Sequence, residues 1–230
     1  MASPEQRSRV LAAVGGIPAP TRRALLRRQA WMILAGVAGA LTLFAVEGGL
    51  RATGRPPSLV AWTALGTSSF AGVGMWFLFS RGRSGFRRGW AVLGLATLAP
   101  ATAFVLWRYG LGSLYQLAAP WPARTGYRCF AMSVATGGIL LGATLAAWRH
   151  LDPLTPRATG AAFGAGAGLG SALLIDLWCP VSYVPHLLIG HVLPIAVLAA
   201  AGAALGGRIL GALRRARGPE RPPLAGRPAF

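Results

Sequence analysis

The sequence has no lysine and almost no acid. Five acidic residues stand against 23 basic ones, all arginine, and charged residues of every kind make up only 12% of the chain. A soluble globular domain carries about 25% charged residues, so a surface of ordinary water-facing composition is excluded. The missing lysine reads as genome composition bias rather than as chemistry. Only two cysteines are present, too few for a disulfide framework, and neither a CxxC pair nor a Cys/His zinc spacing occurs. There is no HExxH, and the apolar stretches offer mainly Gly, Ala, Leu, Ser and Thr at their centres. That leaves no nucleophile, base or metal constellation for catalysis, so the expectation is a protein that is not an enzyme and needs no cofactor.

What the chain does have is apolar length. Of its 230 residues 54% are hydrophobic, and six runs near 31–50, 59–80, 89–107, 129–148, 158–178 and 187–207 each approach the roughly 20 residues a helix needs to cross a bilayer. Unpaired backbone groups are costly in lipid, so each run should be helical. The fold class expected is all-α: a polytopic membrane bundle of six transmembrane helices, with Pro100 and Pro194 kinking the third and sixth. The third, fourth and sixth runs hold only uncharged residues within these limits.

A formal net charge of +18 would suit a nucleic-acid binder, but the arginines sit in short clusters between apolar runs, as the loops of a membrane protein do. No direct nucleic-acid binding is expected. Eighteen arginines fall in residues 1–30, the 81–88 loop, the 149–157 turn and the segment from Arg208 on; five, Arg51, Arg55, Arg108, Arg124 and Arg128, fall on the other side. By the positive-inside rule both termini are cytoplasmic, in a bacterial inner membrane. The domain reading is a basic tail over 1–30, a membrane domain over 31–207, and an Arg/Pro-rich tail over 208–230 expected to be disordered. Anionic headgroups are expected partners of the basic segments.

Within the first tail, Val10, Leu11 and Val14 can share one face of a short helix beside the arginines, and Arg22 and Arg23 lie close to the membrane. These five are the candidate partner-binding residues. Thr21-Arg22-Arg23 also has a loose likeness to a twin-arginine export signal, but no soluble domain follows to be exported. Gly160, Gly164 and Gly168 repeat at four-residue spacing, the pattern that lets two membrane helices pack backbone to backbone. Gly138 and Gly142, or Gly202 and Gly206, are the candidate mates. Glu47 has Arg51 four residues on, the spacing of a local ion pair.

Unusual chemistry gathers late in the chain. Cys129 opens the fourth run and Cys179 closes the fifth, so a hairpin through the short 149–157 turn brings both to one depth on the outer side. They are the candidate signal-sensing residues, as a disulfide, as thiol sensors, or as two small residues at helix ends. Asp176, His186 and His191 are accessory candidates: with the cysteines they supply soft-metal ligand types, although the irregular spacing leaves the metal unknown and the direction of both histidines unread.

In order and at similar spacing, Arg128-Cys129, Leu151-Asp152-Pro153, Pro156, Gly160-Ala161, Cys179-Pro180, His191, Pro194 and the closing Gly202-Ala203 to Gly206 resemble the NrsF-like six-span membrane anti-sigma factors. The carotenoid regulator CarR is similar in arrangement. The resemblance covers roughly 128–207. It implies a membrane-bound anti-sigma factor that sequesters an extracytoplasmic-function sigma factor in the cytoplasm and releases it on an envelope, oxidative, metal or light-linked stress, with Cys129 and Cys179 as the family's cysteine pair. The alternative is a small membrane transporter or a metal or redox sensor without a sigma-factor partner.

Overall fold

The computed structural model describes residues 21–49, 56–79, 90–115, 125–149 and 155–210. Among them are six long helices and no strand: α1 (Arg22–Val46), α2 (Pro57–Phe79), α3 (Trp90–Leu114), α4 (Tyr127–Trp148), α5 (Pro156–Trp178) and α6 (Val184–Ile209). Four of them, α1, α4, α5 and α6, are long and apolar enough to cross a membrane. The hydrophobic surface is turned outward: Trp31, Leu34, Leu65, Trp76, Leu95, Leu98 and Leu106 are all exposed, whereas the interior holds alanines with Thr63, Thr67, Ser133, Thr136, Ser171 and the side chains of Arg108 and Asp176. A water-soluble protein does not leave so much apolar surface open; a bilayer as solvent accounts for it.

Helix ends follow local chemistry. The Thr21 hydroxyl accepts from the Ala24 backbone N–H at 3.3 Å and caps α1. Pro156 and Pro57 stand in the first turns of α5 and α2, where a missing N–H costs nothing. α5 stops at Trp178 because Pro180 disfavours helical geometry at the residue before it, and Cys179 is accordingly extended (φ −75°, ψ 118°).

α5 is the central helix, buried along most of its length. The helices that pack on it through glycine, α2, α4 and α6, run antiparallel to it. Gly160 stands against Gly202 and Gly206 of α6, Gly164 against Leu198 and Ala199, and Gly168 against Ile195, whose Cα is 2.7 Å from where a Cβ on Gly168 would stand. No side chain fits between these backbones, which is why the four-residue spacing occurs here. Of the two sets of candidate mates, Gly202 and Gly206 make the contact; Gly138 and Gly142 of α4 face outward, where a Cβ on either would have nothing within 4 Å. α4 packs on α5 through Gly137 and Ser171, α1 on α4 through Gly36 and Ala143, and α2 on α5 through Gly74 and Leu169.

Pro100 lies inside α3 as expected. Pro194 acts differently from a simple kink: the five residues before α6 resumes its α-helical course, Leu188–Val192, form a π-helical turn. Lacking an N–H, Pro194 cannot bond the Gly190 carbonyl, and the Ser133 hydroxyl of α4 donates to that carbonyl at 3.3 Å instead. The third apolar run is also longer than its sequence limits. α3 continues through Arg108 to Leu114, so Arg108 is no loop residue of the outer side but a helical residue with 0% exposure. The favourable ion-pair and hydrogen-bond geometry described below explains how a charge is held there.

Candidate functional site

At the end of the bundle where α1, α3 and α5 finish and α4 and α6 begin, the chain makes two unusual approaches. Gly126 precedes α4 at φ +98°, a left-handed conformation that favours glycine. A side chain there would also press on the His186 carbonyl and the Gly190 backbone. Gly190, in the π-turn, lets Cys129 come equally near: a Cβ on Gly190 would stand 3.0 Å from that of Cys129. α4 and α6 are thus drawn together where the two cysteines and two histidines meet.

Cys129, Cys179, His186 and His191 are all buried, and their ligand atoms lie within 4.8 Å of one another. No disulfide joins the two cysteines. The Cys179 sulfur is 3.1 Å from His186 Nε2, and the two imidazole rings are 5.9 Å apart at their centroids. Tyr183 flanks His186 and Phe104 flanks His191, each as a tilted ring neighbour. The hydrogen bond with the Cys129 thiol, reinforced by both histidines against the opposing effect of burial, holds the Cys179 thiol well below its ordinary range.

The cluster rests on a buried polar clamp. Arg108 Nε is 2.8 Å from Asp176 Oδ1, with neither side chain exposed. One guanidinium nitrogen donates to Thr63 at 3.1 Å, and another to the carbonyls of Cys179 at 3.1 Å and Val181 at 3.2 Å. The Thr67 hydroxyl donates to Asp176 Oδ2 at 2.6 Å. A single arginine thus ties α2, α3 and α5 to the backbone on both sides of Pro180.

A cavity of about 560 Å³ reaches Cys129, Cys179 and His186 from the end of the bundle. Arg128 and Trp178 line it, stacked as a cation–π pair with the guanidinium carbon 4.8 Å from the ring. Glu47 pairs with Arg128 at 3.8 Å; Arg51, its expected partner, lies outside the described residues.

The sequence expectations therefore divide. Cys129 and Cys179 meet, and His186 and His191 join them, but Asp176 is engaged by Arg108 and Thr67 and stands apart from the four-residue cluster. Arg108 was the functional-site residue missed: the apolar residues on both sides of it, Leu106-Trp107 and Gly110-Leu111, were the available signal that it lies within a helix. Arg23 is exposed on the first turn of α1, at the opposite end of that helix from Phe44, which packs beside Cys129. Val10, Leu11 and Val14 lie outside the described residues.

Among the described residues, an all-helical bundle with four helices long and apolar enough to cross a membrane, an outward apolar surface and an enclosed thiol–imidazole cluster at one end is consistent with a membrane protein. Residues 14–211 match the family model of NrsF, the negative regulator of sigma F, and the chain belongs to that family. A sigma factor is accordingly its partner, and negative regulation of that factor its role. No curated protein and no solved structure matches the chain.

Proposed function

We propose that the protein is a non-enzymatic anti-sigma factor of the bacterial inner membrane, with six spans and both termini cytoplasmic. It sequesters an extracytoplasmic-function sigma factor and frees it when an oxidative, metal or other envelope signal reaches Cys129 and Cys179. Residues 1–30 hold the partner, with Val10, Leu11 and Val14 as an apolar stripe for a groove and Arg22 and Arg23 for an acidic rim. The observation that carries the signalling part is the enclosure of both thiols with two histidines at the end of a cavity, far along α1 from Arg23.

Rigid helices transmit the signal. A change of bonding at Cys179 acts on α5 and, through its carbonyl, on Arg108 of α3; a change at Cys129 acts on α4, whose far end leads into the 149–157 turn. Coupling of this kind needs a two-state element that both ends bias.

Deletion of residues 1–17, with the membrane-proximal arginines kept, is expected to free the sigma factor while the protein stays inserted, measured by a sigma-dependent reporter and by membrane fractionation. Retained repression would move the binding site to the inner loops or the last tail. Cys129→Ser, Cys179→Ser and the double variant are expected to hold the sigma factor under oxidant and under soft-metal stress. A parental response from all three would reduce the cysteines to packing residues.

A further inference from the structure

We propose that Cys129, Cys179, His186 and His191 form a four-coordinate site for one divalent ion of the zinc class. The inference deepens, and rests on, the reading of this cluster as the place where a signal arrives; it adds both histidines as ligands and names the ligand chemistry.

Two sulfurs and two imidazole nitrogens are a donor set for a tetrahedral ion, and hard ions such as magnesium or calcium take oxygen donors instead. Zinc bonds of about 2.3 Å to sulfur and about 2.0–2.1 Å to nitrogen put tetrahedral ligand atoms roughly 3.3–3.8 Å apart. The present spread of up to 4.8 Å is therefore a slightly opened version of that geometry. His191 supplies an independent observation. It is fully buried, and neither ring nitrogen makes a well-formed hydrogen bond; the Cys179 thiol is a polar group beside it. Such burial is costly when nothing replaces the water bonds given up, and ligation of an ion satisfies one of the two nitrogens.

Charge decides between ions. Two thiolates, two neutral imidazoles and a divalent cation sum to zero, which suits an enclosed place where the buried charges beside it, Arg108 and Asp176, already cancel. A monovalent soft ion would leave one negative charge enclosed. On binding, each sulfur exchanges its bond to hydrogen for a bond to the ion, and two protons leave by the cavity to solvent; nothing is oxidised or reduced. Cys129, Cys179 and His186 line the inner end of the cavity, so the ion meets these three first and His191 behind them. The ligands come from α4, the end of α5 and both sides of the π-turn in α6. Closing them on one ion draws α4 and α6 together at this end.

The test uses the full chain, reduced, in lipid nanodiscs and titrated with Co²⁺ as a spectroscopic probe. The expected result is one ion per chain, with a thiolate-to-cobalt charge-transfer band and the intense visible bands of a tetrahedral centre, both removed by added Zn²⁺. His186→Asn and His191→Asn should each weaken binding by more than about 10-fold, beyond the lower bound for second-shell partners, while keeping the charge-transfer band. Cys129→Ser with Cys179→Ser should abolish that band. X-ray absorption of the zinc-loaded parent, which needs no variant to fold, should count two sulfur and two nitrogen ligands. An octahedral spectrum, an ion held without nitrogen ligands, or histidine variants that bind as the parent does would overturn the site. Ion binding without release of the sigma factor would uphold the site and sink the signalling reading; oxidant-driven release from a protein that binds no ion would do the reverse.

Discussion

Arg108 and Asp176 hold each other at a depth where neither could stay alone. The exchange of water for five oxygen contacts, two threonine hydroxyls among them, offsets the desolvation of both ions only while every partner remains. Removing one member of a buried pair typically costs about 3–5 kcal/mol, because the other charge is left uncompensated. Arg108→Leu and Asp176→Leu are each expected to lower the thermal midpoint of the purified protein in detergent sharply. The double leucine variant should recover most of the loss, and a double variant no better than the worse single one would refute the account. Legibility at this scale was uneven. The common depth of Cys129 and Cys179 could be read from a hairpin alone. The direction of His186 and His191 could not, because Pro185, the π-turn and the bond from Ser133 to Gly190 together set it, and the last is a contact between distant segments.

Among the helices, the contact of α5 with α6 depends on hydrogen in place of a side chain. Lipid gives apolar helices little reason to associate, so close packing of this kind carries much of the attraction. Gly164→Leu or Gly202→Leu should force the backbones apart and cost several kcal/mol, at the upper end of overpacking effects of about 1–3 kcal/mol or beyond. Gly138→Ala and Gly142→Ala, where the space is open, should be neutral within about 0.5 kcal/mol or mildly stabilising, since alanine favours a helix by about 1 kcal/mol over glycine. Unfolding of the detergent-purified variants distinguishes the two groups, and equal losses in both would mean that the spacing does not mark the interface. The helices themselves were legible from apolar length, and the glycine spacing marked a contact. Which partner it met was not legible, because Gly138/Gly142 and Gly202/Gly206 repeat at the same interval.

For the molecule as a whole, the ends of α1 and α6 at Arg22 and Ile209 lie at the same end of the bundle, opposite the thiol–imidazole cluster, as the antiparallel packing of α1 on α4, of α4 on α5 and of α5 on α6 requires. In the proposed orientation, with Arg108 in the interior, the count expected for the outer side falls from five arginines to Arg51, Arg55, Arg124 and Arg128. The asymmetry that sets orientation is sharper than the loop count suggested. A reporter active only in the cytoplasm, fused after Arg217, is expected to work, and one active only in the periplasm is expected to work near Ala119. The swapped pattern would invert the orientation and place the cysteines on the cytoplasmic side.

The clamp at Arg108 also sets a schedule for biosynthesis. In the proposed six-span arrangement, the ribosome delivers Arg108 well before Asp176 and the Cys179 and Val181 carbonyls exist, so the nascent third helix would carry an unneutralised cation when it first meets the membrane. Insertion scales charge about 2.5–3.5 kcal/mol for an arginine at the centre of a lone helix. Thr63, on the helix before it, is the partner of Arg108 already made. α3 therefore settles fully only when α5 arrives behind it, and the backbone around Cys179 takes its final form in the same event.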